Sequence, residues 1–139
     1  MKKMLLLVTG LVLLIACNND NDENQTLVST SILGEWTLTE VLADPGDGSG
    51  RFQPVQSNKT LTFNNNGEVF SNGDICSINS ETAVATNGTF SEENHRITGR
   101  CTATGYPIIY EIDANDNLIL NHPCIESCRE KYTRILQDW

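Results

Sequence analysis

The sequence predicts an all-β domain of eight short antiparallel strands, with a small up-and-down barrel as the expected arrangement. Three observations carry this reading. From residue 32 the chain breaks into short runs of alternating apolar and polar residues, the period-two pattern of half-buried strands. Each run is closed by Gly, Asn, Asp or Pro, the residues that turns demand. No stretch repeats its apolar residues at helical spacing over a useful length, and eight strands in series joined by turns describe a sandwich or an up-and-down barrel.

Taken in order, the chain opens on a leader. Lys2 and Lys3 precede an apolar run, Met4–Ile15, of 12 residues. That is shorter than the ~20 residues a membrane-spanning helix needs and fits an export signal. Leu14-Ile15-Ala16-Cys17 resembles the lipobox of bacterial lipoproteins. The resemblance implies cleavage after residue 16 and acylation of Cys17, palmitate-type chains among the lipids. Two or more acyl chains anchor a protein stably where one does not. Residues 17–31 are then the acylated cysteine and a tether. Asn18 to Gln25 has no apolar residue and cannot bury surface to offset its ordering entropy. Its acidic residues resemble the export signal of Bacteroidetes surface lipoproteins. The implied location is the outer membrane, on its surface or facing the periplasm.

The domain is expected over residues 32–136. Ile32–Leu42 is the first strand, with Trp36, Leu38 and Leu42 in one phase. Residues 43–58 are a long loop. Lys59–Phe63 and Glu68–Ser71 form a hairpin around Asn64-Asn65-Asn66-Gly67, since Asn-Gly tolerates the positive φ of such turns. After the irregular stretch 72–85, strands follow at Thr86–Ser91, His95–Cys101, Tyr106–Asp113, Asn117–His122 and Arg129–Leu136.

Charge narrows the partners. Without the leader, seven basic residues face eighteen acidic ones, a net of −11. Nucleic acid and anionic headgroups need a positive face. The acidic surface favours a basic protein partner. Besides Cys17 there are Cys76, Cys101, Cys124 and Cys128, an even number that reads as two disulfides in an exported small domain. The preferred pairing is Cys76–Cys101 with Cys124–Cys128, and sequence leaves the other connectivities open. His122, Cys124 and Cys128 could ligate zinc, but thiols in an oxidising compartment favour the disulfides. Asp44, Asp47 and Ser49 resemble a calcium loop that lacks its glutamate, position 55 being Val55. No metal and no cofactor is expected.

Gly34-Glu35-Trp36 on the first strand matches the Gly-x-Trp signature of the lipocalins. Together with the loop around Asp44-Pro45-Gly46-Asp47-Gly48 and the ending from Cys124 to Ile135, the chain resembles the small lipocalin-like lipoproteins of Bacteroidetes. The resemblance implies that Trp36 closes one barrel end beside Gly34, with Arg134 packed over it. It also implies binding of a small hydrophobic molecule, with Leu42, Tyr106, Ile108, Leu120 and His122 as lining. An up-and-down order sends the loops at 43–58, 72–85, 102–105 and 123–128 to the end opposite Trp36, with all four cysteines in or beside them. An eight-stranded barrel is also narrow enough for side chains to fill. Leu38, Leu61, Phe63, Val69, Phe90, Ile97, Tyr110, Ile112, Leu118 and Tyr132 would do so. The domain would then work through its surface, as a structural or protein-binding module of the cell envelope, an inhibitor among the options. Catalysis is not expected: the chain has no nucleophile elbow, Walker loop, dinucleotide fingerprint or zinc-protease motif. Glu126 and Glu130 read as turn and surface charges.

Overall fold

The computed structural model describes residues 31–100 and 106–136. Leader, Cys17, tether to residue 30 and Cys101 lie outside the described residues. Among the described residues nine strands form: β1 (Gly34–Ala43), β2 (Gln53–Pro54), β3 (Thr60–Phe63), β4 (Glu68–Ser71), β5 (Thr86–Ser91), β6 (Arg96–Gly99), β7 (Ile108–Ile112), β8 (Asn117–Asn121) and β9 (Cys128–Arg134). From β3 to β9 each strand pairs antiparallel with the next, and β9 returns to β1. Eight strands close on themselves, so that among the described residues only the two-residue β2 stands at a sheet edge. The fold is the expected closed antiparallel barrel.

Two features depart from the reading of the sequence. β2 lies inside the stretch read as loop. β1 is ten residues long while β3 has four and pairs only with Gly34–Thr37. The second half of β1 is therefore open on that side. β2 fills it through Glu40↔Pro54 and Val41↔Gln53, and the Val55 amide donates to Thr39 O at 2.9 Å. The second departure is a bulge between Leu38 and Glu40, against β9. A bulge shifts the side-chain phase by one residue. Beyond it Val41 stands opposite Glu130 and packs on the core, while Leu42 stands opposite Arg129. Leu42 does not continue the phase of Trp36 and Leu38.

The turns follow their composition. Gly67 carries φ +82° in the β3–β4 hairpin, where Gly67 N donates to Asn64 O. The β7–β8 turn is held by the Asp113 carboxylate, which accepts from the Asn115 and Asn117 amides. Inward phases meet in one core: Trp36, Leu38, Leu61, Phe63, Val69, Ile97, Ile108, Tyr110, Leu118, Leu120 and Tyr132 are all buried. Phe63 and Phe90 meet edge to face at 5.2 Å, an arrangement the ring quadrupoles favour.

Candidate functional site

The two ends of the barrel are built differently. At one end Trp36 has no exposure, and its indole N–H donates to Ile32 O at 2.8 Å. The Arg134 guanidinium lies 4.0 Å from the ring centroid, within cation–π range. All three of its nitrogens donate: Nε and Nη2 to Asp116, Nη1 to Leu33 O, and Nη2 also to Ser31 O. Gly34 sits at φ +116° with Arg134 Nη1 3.5 Å from where a Cβ would stand, so a side chain there is strained. The structure thus brings Gly34, Trp36 and Arg134 together. The carbonyls of Ser31 and Leu33 place the start of the described domain at this same end.

The opposite end gathers the loops after β1, β4 and β8. There the interior is polar and filled. Lys59 and Glu130 have no exposure, and Lys59 Nζ lies 2.8 Å from Glu130 Oε1. Nζ also donates to Asn79 O at 3.1 Å and Ser77 O at 3.4 Å. Glu130 Oε2 accepts from the Tyr132 hydroxyl at 2.8 Å and meets His122 Nε2 at 3.2 Å. A buried carboxylate persists only when its charge is matched and its lone pairs are used, and this one has both. Burial pushes the Tyr132 phenol well above its usual range, reinforced by the Glu130 charge and by donation to it. Asp74, at the rim, is held below the usual carboxylate range by the Ser77 hydroxyl, then by the Cys76 amide and the charges of Lys59 and His122. Above this cluster the stretch between β4 and β5 folds over the mouth. Ile75 joins the core with no exposure, and Thr86 Oγ1 clamps the crossing by accepting from Ile75 N and donating to Gly73 O.

Glu130 is therefore not the surface charge that the sequence suggested. The signal was available. Tyr132 and Arg134 face inward on β9, and Glu130 is in phase with both. Lys59 is likewise in phase with Leu61 and Phe63. Period two outranks polarity here because each charge supplies the other's partner.

The five residues expected to line a ligand do not converge on one cavity. Ile108 and Leu120 are core, and His122 points into the polar cluster. Tyr106 is 71% exposed on the rim, and Leu42 is out of phase. Space large enough for a ligand would give its walls surface accessible to water. Trp36, Leu61, Val69, Ile97, Leu118, Leu120 and Tyr132 have none.

Cys124 and Cys128 are bonded to each other. The turn they close is held further by His122 N to Cys128 O and by Asp44 N to Ser127 O. Cys76 is disulfide-bonded as well, and its expected partner Cys101 lies outside the described residues. No group of three or more potential metal ligands occurs among the described residues. The Asp44 carboxylate is engaged by the amides of Gly46, Gly48 and Gly50.

Clefts open on the loop end. One of about 610 Å³ runs between Gln56–Asn58 and Ser80–Ala83. Another of about 290 Å³ lies beside the Cys124–Cys128 turn, lined by His122, Ile125 and Arg129 among others.

The profile of the lipocalin-like domain family matches residues 32–121. No curated protein and no solved structure matches the chain.

Proposed function

The chain belongs to the lipocalin-like domain family, and we propose that its barrel works through the surface of its loop end while its interior serves stability. The observation that carries this is the filled interior. Apolar side chains occupy it from Trp36 to Leu120, and the Lys59–Glu130–His122–Tyr132 cluster closes the rest. Ile75 caps the mouth. In this reading Cys17 is acylated and holds the protein to the outer membrane. The chain reaches the barrel at the Trp36 end, so the loops face away from the attachment. An acidic, non-catalytic module presented in this way suits an envelope partner with a basic face. His122 and Glu130 meet in the cluster, but their side chains are 2% and 0% exposed, out of a substrate's reach.

Family membership favours a second reading, the binding of a small hydrophobic molecule. Its place is then the cleft beside Ile125 and His122 and not the barrel axis. Native mass spectrometry of residues 18–139, exported to an oxidising compartment and purified without detergent, separates the two. A bare protein is the expected result. A stoichiometric adduct that leaves on denaturation would overturn the filled-barrel reading. Wild-type protein lacking acyl mass at Cys17 would remove the anchor.

A further inference from the structure

The geometry points to a binding site for a neutral saccharide in the loop-end cleft between Gln56–Asn58 and Ser80–Ala83. This goes beyond the loop-end reading and rests on it. The cleft measures about 610 Å³, inside the ~300–1,000 Å³ range of small-ligand sites. Its lining is amide and hydroxyl: Gln56, Ser57, Asn58, Ser80 and Thr82, with one carboxylate, Glu81. Amides donate and accept, and a carboxylate accepts through two oxygens. Together they match vicinal hydroxyls, each of which also donates and accepts. No lysine or arginine lines the cleft. With Glu81 present and no cation on the lining, the cleft disfavours a phosphate or carboxylate ligand.

The walls are fixed from below. Ser57 Oγ donates to Ser80 O at 2.7 Å and accepts from Lys59 N. Asn79 Oδ1 accepts from Glu81 N at 3.1 Å. The buried Lys59 ammonium holds the carbonyls of Ser77 and Asn79. Gly73 lets the Glu81 carbonyl approach so closely that a Cβ would collide with it, and a Cβ would also crowd the Lys59 stem. The side chains of Gln56, Asn58, Glu81 and Thr82, by contrast, engage no other group among the described residues. Fixed walls lower the ordering cost of binding, and the uncommitted polar side chains are available to bond a ligand. The buried Lys59–Glu130 pair thereby acquires a second role, as the footing of the site.

The test is an NMR titration of the exported protein with neutral disaccharides of glucose, galactose, mannose and N-acetylglucosamine, following the Gln56 and Asn58 side-chain amides. At least one sugar should shift both resonances saturably. Asn58→Ala should weaken it about fivefold, one neutral hydrogen bond's worth, and Glu81→Ala about tenfold or more, the loss of a charged acceptor. Asn115→Ala, at the opposite end, should leave it unchanged. All three positions are exposed, so unchanged thermal unfolding certifies each variant. No shift with any sugar, a shift indifferent to Asn58 and Glu81, or tighter binding of glucuronate than of glucose overturns the proposal. None of these outcomes touches the filled barrel, which the mass measurement tests separately.

Discussion

Replacing Lys59 by Met tests the interior most directly. The change keeps a long apolar stem and deletes a charge with no exposure. Glu130 Oε1 then loses its 2.8 Å partner, while Oε2 keeps Tyr132 and His122. Breaking one half of a buried pair costs about 3–5 kcal/mol, and the surviving donors place this variant near the lower figure. Glu130→Leu should be worse. It leaves a buried ammonium and also strips Tyr132 and His122 of their acceptor, at about 1–3 kcal/mol for each unsatisfied group. The double variant removes both charges and should be less damaged than Glu130→Leu alone. Coupling at the upper end of the usual range, about 2–3 kcal/mol, is expected. Urea titrations with two probes and a constant m-value measure all four corners of the cycle. Against a net stability of about 5–15 kcal/mol for a domain of this kind, the effects are large. A Lys59→Met loss below about 1 kcal/mol would refute the reasoning. It would mean that water reaches Glu130 and that the loop end is an open, hydrated calyx.

The other predictions address separate parts of the barrel. Trp36→Ala should lose about 3–5 kcal/mol, as for any large buried aromatic. Arg134→Ala should lose about 3 kcal/mol from its charged hydrogen bonds and ring contact. Equality of either with wild type in the same titration would remove that residue from the closed end. Replacing Cys124 and Cys128 together by Ser should cost about 2 kcal/mol, since the closed loop is short. A drop of 5 kcal/mol or more by the same assay, well above this ~2 kcal/mol estimate, would mean that the turn also holds the mouth shut. Tyr132 is raised above its usual value of 10.0, so its contribution is complete below about pH 10 and is lost as the pH rises towards the folded value. Stability followed from pH 8 to 12 should therefore fall less steeply in Tyr132→Phe than in wild type, Tyr110, also raised by burial, accounting for the remainder. Equal slopes would place Tyr132 in water.

The strand order and the closed end were legible because alternation and turn chemistry act locally. Trp36, Leu38, Leu61, Phe63, Val69, Ile97, Tyr110, Leu118 and Tyr132 face inward because period two has no other solution for them. What stayed hidden depends on distant partners. The bulge after Leu38 is a relation between β1 and β9, and no single strand announces it. β2 exists because β1 outruns β3. The polar cluster hid behind composition: a lysine before a strand and a glutamate within one read as surface. Only their mutual placement, 71 residues apart in the chain, makes burial tolerable. The saccharide cleft was invisible for a similar reason, since its two walls belong to loops joined through Ser57 and Ser80.

The same cluster bears on the choice between carrier and surface module. For a hydrophobic molecule to enter from the loop end, Ile75 must leave the core and Lys59 must part from Glu130. If the second step alone costs about 3–5 kcal/mol, the binding-competent state is rare. Every apparent affinity is then weakened by about a hundredfold to several thousandfold. A ligand built of a few methylenes gains about 0.8 kcal/mol for each one buried, so roughly four to six must be spent before any net binding begins. The partner of Glu130 thus sets the threshold. If Lys59→Met acquired a bound lipid while wild type stayed bare, the barrel would be a carrier closed by one ion pair. If both stayed bare, the apolar layer from Leu61 to Leu120 would itself be the barrier, and activity would belong to the rim.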